Sequence, residues 1–322
     1  MSFSGDFFSS LTPFNFVSKL TQPEDTQPGL TFVLTHKLIA TEDEYNCIRT
    51  NGCAGKMKKN NCPTSKFNYI YRCNKCYKKI SPTTGTWFDS SHLSIMDSLA
   101  IIFLWCSESK NTTIKDFTLV GGVAVCKYKK KIRQVAIDHW VNNRDAIGGE
   151  GKIVEIDESL LFKRKSNVGR LLADQITGTW IVGGIERGSK KCFLSLVKKR
   201  DKPTLNELIK FWVKPGTTIY TDCWKGYLDL SKLGYIHGEV NHSKNWLNPM
   251  DKNINTQRVE RFWRSVKANI PKETKATNKE DYLNEFCFKF NYFGEESLGM
   301  RFKTMLDLCC SYYVSPLCCQ IN

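Results

Sequence analysis

Between Gly151 and His242 the sequence consists of short apolar runs separated by turn residues, and this pattern constrains the fold more than any other feature. Three predicted strands come first, in "KIVEIDESLLF", "TWIVGGI" and "KCFLSLV". A predicted helix, "TLNELIKFWV", follows and ends at Pro215-Gly216, and two further strands lie in "TTIYTDCW" and "YIHGEVNH". A last helix runs from about Ile254 to Asn269, before Pro271. This order predicts an α/β fold in which a mixed sheet is flanked by helices.

The charge balance restricts the class of partner. Lys and Arg number 47 against 32 Asp and Glu, which gives a formal net charge of +15 on 322 residues. Because each phosphate neutralised by a basic side chain releases a condensed counterion, this excess favours a nucleic-acid partner. The longest apolar stretch, around 99–106, is far too short to span a bilayer, so no membrane partner is expected.

The remaining segments suggest a modular chain. We expect a weakly ordered leader over 1–35, a small zinc-ribbon-like module over 36–90, a helical segment over 91–148, an α/β domain over 149–290 and a Cys-rich tail over 291–322. Helical spacing within 91–148 predicts three short helices, with Gly121 and Gly122 before the last. This arrangement fits a DNA-binding helix-turn-helix, and a generic helical linker fits it equally well.

Five of the 14 cysteines lie in the second segment. Cys73 and Cys76 form a tight chelating pair, and Cys47 and Cys53, with five residues between them, are the expected upstream ligands of a tetrahedral Zn²⁺. Cys62 is an alternative to either upstream ligand. Eight basic and no acidic residues lie between 56 and 79, so the module is also a candidate DNA-contacting surface. Two alternatives stay open: a zinc ion with a purely structural role, and buried thiols that bind no zinc. Neither His36 nor His92 is needed as a zinc ligand.

Three carboxylates form the second candidate site. Asp157 lies in a predicted strand, on one face with Glu155 and Ser159, and Asp222 ends a later strand, where α/β sheets present their sites. Glu260 lies on the last helix, in one stripe with two cations, Arg264 and Lys267. Mg²⁺ prefers oxygen ligands, and two ions about 4 Å apart can activate a nucleophile and stabilise a leaving oxygen. The alternative without a catalytic role is a surface ion pair between Glu260 and Arg264.

At this point the sequence resembles a known family. The stretches "VEIDESLLFKRK", "WIVGGIERGSKKCFLSLVKKR", "PGTTIYTDCWKGY", "GYIHGEVNHSKNW" and "NTQRVERFWRSVK" are similar, in family order, to transposases of Merlin DNA transposons and their bacterial insertion-sequence relatives, which combine a zinc ribbon with an ISXO2-like DDE domain. "YRCNKC" and "SPTTGTWF" resemble the second half of the family's zinc ribbon. The resemblance covers about two-thirds of the chain.

The resemblance implies an RNase H-like catalytic core that cuts double-stranded DNA at terminal inverted repeats and joins the freed 3′ ends to target DNA. The family's catalytic acids fall on Asp157, Asp222 and Glu260, which would hold two Mg²⁺ or Mn²⁺ ions. The residues expected to contact phosphate are Lys163, Arg164, Lys165, Arg264 and Lys267. Family members work as homo-oligomers on DNA, in the nucleus of a eukaryotic host or in the cytoplasm and nucleoid of a bacterial one.

The chain departs from the family pattern in three places. Asn255 stands where the family often has His, the first Cys pair is stretched, and the tail after Phe290 matches nothing in the family. Asn241 and His242 match the family's "NH" before the last helix. These two residues could help to position DNA or a ligand carboxylate, or could serve only in a turn or in the core. Two competing functions stay open: a domesticated, catalytically silent DNA-binding protein, and an RNase H-like nuclease that only hydrolyses.

Overall fold

The computed structural model describes residues 5–23, 25, 28–41, 44–48, 52–89, 91–161, 180–240, 255–271 and 276–312. The helices are α1 (Gly5–Ser9), α2 (Phe16–Leu20), α3 (Leu30–Thr35), α4 (Ile95–Cys106), α5 (Asn111–Thr118), α6 (Gly122–Asn143), α7 (Lys202–Trp212), α8 (Gln257–Asn269), α9 (Ala276–Phe288) and α10 (Leu298–Tyr312). The strands are β1 (Glu44–Asn46), β2 (Lys56–Asn61), β3 (Tyr69–Cys73), β4 (Lys79–Ile80), β5 (Ile147–Gly148), β6 (Ile153–Leu160), β7 (Trp180–Glu186), β8 (Cys192–Val197), β9 (Val213–Lys214), β10 (Thr218–Asp222) and β11 (Ile236–Val240).

The chain divides into two compact units. The first comprises Met1–Ala136 together with Glu295–Asn322, and the second comprises Ile137–Gly294. Within the part of the chain that the structure describes, none of the helices combines the length and apolarity that a bilayer crossing requires.

The first unit contains a four-stranded antiparallel sheet, in the order β1-β2-β3-β4, and a helical part. Helix α4 begins at Ser94, whose hydroxyl accepts a hydrogen bond from the backbone N–H of Asp97, as an N-cap should. Helices α4, α5 and α6 fall where the three helices were predicted, and α6 begins five residues before the predicted Lys127.

The N-terminal segment differs from the expectation. Instead of a weakly ordered leader, its described residues contain α1, α2 and α3, with Phe8, Phe16 and Phe32 fully buried. These rings pack around Phe302 of α10, at centroid distances of 6.5, 5.6 and 6.3 Å. The expectation rested on the absence of a local hydrophobic period. It was wrong because the apolar partner of this segment, Phe302, comes from a distant part of the sequence.

The second unit is built on a five-stranded sheet in the order β11-β10-β6-β7-β8. Strands β6, β7 and β8 form an antiparallel meander, whereas β10 and β11 run parallel to β6. Helix α7 begins after its N-cap, Asp201, and ends at Trp212, whose ring stacks on Phe193 of the sheet at 5.3 Å. This strand order and direction confirm the predicted mixed α/β fold and correspond to an RNase H-like core.

Candidate active site and zinc centre

The two aspartates lie side by side on neighbouring strands. Strands β6 and β10 pair in parallel up to Tyr220 and Glu155. Asp222 and Asp157 each follow two residues later, so both lie on the face that carries Glu155. The β6–β10 ladder ends before them, and the carboxyl ends of parallel strands are where α/β sheets open a crevice for ligands.

Helix α8 is held against this face by Glu155. Its fully buried carboxylate accepts hydrogen bonds from the backbone N–H groups of Arg258 and Val259, at 2.9 and 3.0 Å, and forms an ion pair with Arg187 at 2.6 Å. The N-cap residue itself, Thr256, makes no side-chain cap. A carboxylate from β6 therefore satisfies two N–H groups that a helix start leaves without an intrahelical partner.

A second contact joins α8 to Asp157 directly. The indole N–H of Trp263 donates to Asp157 Oδ2 at 3.0 Å. Gly183, the β7 partner of Asp157, makes room for this ring, because a Cβ at that position would lie 2.8 Å from it. Glu260 lies between Val259 and Trp263, which both donate hydrogen bonds to β6, and it is half-buried. Contacts on both sides of Glu260 thus hold this turn of α8 against the face that carries Asp157.

A comparison with protein families identifies this segment. Residues 148–291 match the ISXO2-like transposase domain. The match spans slightly less than half of the chain and confirms the resemblance over these residues. It includes β6, β10 and α8 and therefore all three acids.

Other comparisons add little. No curated protein matches the chain. A solved chain titled "Crystal structure of the Mos1 Strand Transfer Complex" is similar at 9% identity and a TM-score of 0.28, over 66% of this chain and 77% of that one. A TM-score this low does not establish a common fold.

The three candidate acids do not form a compact group of metal ligands. Among the described residues, one group of potential metal ligands has all its ligand atoms within 4.8 Å of one another, and it consists of cysteines. Asp157, Asp222 and Glu260 are therefore more widely spaced. Two ions about 4 Å apart would need ligands on both sides. The oxygen-donor set suits Mg²⁺ or Mn²⁺.

A fourth carboxyl group, Glu158, was missed by sequence reasoning. Burial, together with the charges of Asp157 and Asp222, raises the pKa of Glu158 to about 7. Its Oε1 atom and the Tyr227 hydroxyl are both buried, and the hydroxyl lies close enough to the carboxyl to oppose the rise in its pKa by hydrogen bonding. Alternation placed Glu158 on the opposite face from Asp157, so its nearness to both aspartates was not evident from the sequence.

The predicted DNA-contacting residues are only partly described. Lys163, Arg164 and Lys165 lie outside the described residues, as do Asn241 and His242. Arg264 and Lys267 are exposed on α8. Asn255, which stands where the family often has His, accepts hydrogen bonds from Arg187 through its carbonyl at 2.7 Å and its side-chain oxygen at 3.1 Å.

The cysteine group in the first unit consists of the four predicted ligands, Cys47, Cys53, Cys73 and Cys76. The Sγ atoms of Cys47 and Cys76 are 3.5 Å apart, and those of Cys53 and Cys73 are 3.8 Å apart. Zn–S bonds of about 2.3 Å in a tetrahedron place sulfur atoms about 3.8 Å from one another. The alternative ligand, Cys62, lies outside the group and contacts Thr64 instead. The geometry therefore fits a zinc ion bound by the predicted set.

Local hydrogen bonds also favour thiolates at this centre. Burial raises the pKa of Cys73, but backbone N–H groups of Cys76 and Lys75 donate to its sulfur and lower that pKa to about 6. The backbone N–H of Lys78 lowers the pKa of Cys76. Since the thiolate is the form that binds metal, the tight turn from Cys73 to Cys76 prepares the ligands.

Proposed function

We propose that this chain is a DNA transposase that cleaves transposon ends and transfers the freed strands with the help of divalent ions. Asp157, Asp222 and Glu260 hold two Mg²⁺ or Mn²⁺ ions in this proposal. Bound ions of this kind activate the attacking water or 3′-hydroxyl and stabilise the leaving oxygen. The residues of the chain fix the ions and the DNA backbone relative to each other.

One observation carries the proposal. Asp157 and Asp222 occupy equivalent positions on two parallel strands, and α8 is anchored to that same face on both sides of Glu260. This arrangement supports a common site for three acids that are far apart in sequence. The ISXO2-like match over 148–291 and the net charge of +15 agree with a DNA substrate.

The test is cleavage of labelled duplexes that carry candidate inverted repeats, with and without Mg²⁺. The full chain is expected to nick these duplexes only when the ion is present. Asp157→Asn is expected to abolish nicking while duplex binding persists, because the amide is a poor metal ligand. Glu207→Gln is the matched control, since this acid is exposed on α7 and makes no hydrogen bond or ion pair in the described part of the chain.

Added target DNA separates the competing functions. Joined products support a transposase, whereas cleaved products without joining support a nuclease that only hydrolyses. Binding without cleavage under every ion condition supports a domesticated binding protein. Normal nicking by Asp157→Asn contradicts the assignment of the site.

Three further features belong to the proposal. A Zn²⁺ ion bound by Cys47, Cys53, Cys73 and Cys76 stabilises the N-terminal module, and its basic strands contact DNA. The chain acts as a homo-oligomer on two transposon ends. Its compartment is the nucleus in a eukaryotic host, or the cytoplasm and nucleoid in a bacterial one.

A further inference from the structure

Arg200 occupies an unusual position beside the three acids. It lies between the end of β8 and the start of α7 and is half-buried. Its guanidinium carbon lies 3.5 Å from the ring centroid of Trp180 and 5.4 Å from that of Trp224. Two aromatic rings therefore hold the planar cation in place.

Both rings belong to the part of the sheet that carries the candidate catalytic acids. Trp180 begins β7 and pairs with Leu160 at the end of β6, three residues beyond Asp157. The backbone N–H of Trp224 donates to Asp222 Oδ1 at 3.1 Å. Arg200 is also close enough to Glu158 for its charge to oppose the rise in the pKa of that carboxyl. The guanidinium thus lies at the carboxyl ends of β6 and β10.

Within the described residues, the N–H donors of the Arg200 side chain have no hydrogen-bond partner. Across the described ranges, this side chain donates no hydrogen bond and forms no ion pair with a carboxylate. Stacking on an aromatic ring occupies the faces of a guanidinium and leaves its in-plane N–H donors available. Those donors form a fork that matches two phosphate oxygens. A pre-positioned cation with free donors is suited to an anion that arrives from solution.

We propose that Arg200, held by Trp180 and Trp224, binds a backbone phosphate of the DNA strand that enters the site of Asp157, Asp222 and Glu260. This inference rests on the proposed function in so far as DNA is the substrate. Arg200 is not among the basic residues that the sequence predicted to contact phosphate, so the inference adds a substrate-binding residue.

The experiment measures equilibrium binding of a fluorescent duplex to the full chain over a range of salt concentrations, without divalent ions so that no cleavage occurs. Arg200→Gln removes the charge and leaves a shorter side chain with a planar polar end. It is expected to reduce the slope of log K against log salt by about 0.9, the contribution of one phosphate contact in duplex DNA. Arg200→Lys restores a cation and is expected to keep most of the slope. Lys210→Ala, on the exposed surface near the end of α7, is the control and should leave the slope unchanged.

A second measurement replaces single phosphates near the cleavage position by neutral methylphosphonates. One replacement should weaken binding by the wild-type chain and have no further effect on Arg200→Gln, as expected for partners in one contact. If wild-type and Arg200→Gln show equal slopes, or if Arg200→Lys loses as much slope as Arg200→Gln, the inference is wrong. If the wild-type chain shows no salt-dependent duplex binding at all, the proposed function itself fails.

Discussion

Glu155 links the sheet of the ISXO2-like domain to the helix that carries Glu260. The same carboxylate pairs with Arg187 and receives two backbone N–H groups from α8. Alternation along β6 predicted that Glu155 shares a face with Asp157. Its complete burial was not predictable, because its partners come from the β7–β8 turn and from α8, which are distant in sequence.

Replacing Glu155 by Gln tests this link. A neutral amide leaves Arg187 without its buried counter-charge and weakens the start of α8, so we expect a loss of about 3 kcal/mol in the free energy of unfolding. Urea unfolding followed by far-UV circular dichroism measures the loss. Glu207→Gln, an exposed replacement of the same type, should change stability by no more than about 0.5 kcal/mol. Equal stability of the two variants would show that Glu155 does not anchor α8.

His36 gives the first unit a predictable pH dependence. Burial lowers the pKa of His36 below 6.5, with opposing contributions from Asp307, which raises it, and Lys303, which lowers it. The folded state thus favours the neutral ring, which packs against Phe8 and Phe32. The stabilising contribution is complete above pH 6.5 and declines as the pH falls below it, because the unfolded chain takes up the proton more readily.

We therefore expect unfolding free energies between pH 7 and pH 5 to fall less steeply in His36→Gln than in the wild-type chain. Denaturant titrations at several pH values, followed by a probe in the first unit, measure the two slopes. A variant with the wild-type slope would contradict a buried neutral imidazole.

Among the helices and strands, those with long periodic sequences were predictable from the sequence. The pairing of very short strands was not. The predicted strands around Asp157 and Asp222, and helices α7 and α8, occur in the structure in the predicted order. The two-residue strands β5 and β9 pair with each other across a long sequence separation, and no local pattern indicates them. Strand register was also beyond the sequence, although it is the register that places the two aspartates side by side.

The group of four cysteines shows the same division. The spacing of Cys73 and Cys76 predicted a chelating pair, whereas the choice between Cys62 and the upstream cysteines depended on how β1, β2 and β3 pair. Antiparallel pairing of β2 with β3 sets Cys73 opposite Met57, and the turn that precedes β2 brings Cys53 to the same end. Cys62, just beyond the other end of β2, is left away from the group.

We expect the purified chain to contain one zinc ion, which Cys73→Ser removes and Cys62→Ser retains. Loss of one thiolate from a four-ligand site abolishes most of the binding free energy of a structural zinc. Inductively coupled plasma mass spectrometry gives the metal content of each variant. Equal zinc content in Cys73→Ser and the wild-type chain would exclude the assigned centre.

Segments from both ends of the sequence belong to the first unit. Phe302 of α10 packs against Phe8, Phe16, Phe32 and Phe103. The sequence offered no means of pairing a leader with a tail that are separated by the entire ISXO2-like domain. Disorder was the expectation because the burial partners of these Phe residues were not local.

Phe302→Ala is expected to destabilise the first unit by about 3–5 kcal/mol, the usual cost of emptying a buried aromatic position. The second unit, Ile137–Gly294, should unfold as in the wild-type chain. Hydrogen exchange followed by mass spectrometry separates the two. Uniform loss of protection across both units would contradict an effect confined to the first unit, and unchanged protection around α1 and α4 would contradict the packing.

Calorimetric titration of Mn²⁺ into the zinc-loaded chain tests whether Asp157, Asp222 and Glu260 hold divalent ions together. We predict that Asp157→Asn, Asp222→Asn and Glu260→Gln each weaken Mn²⁺ binding at least about tenfold, a change of about 1.4 kcal/mol, while Glu207→Gln binds as the wild-type chain does. Wild-type Mn²⁺ affinity in all three variants would contradict the claim.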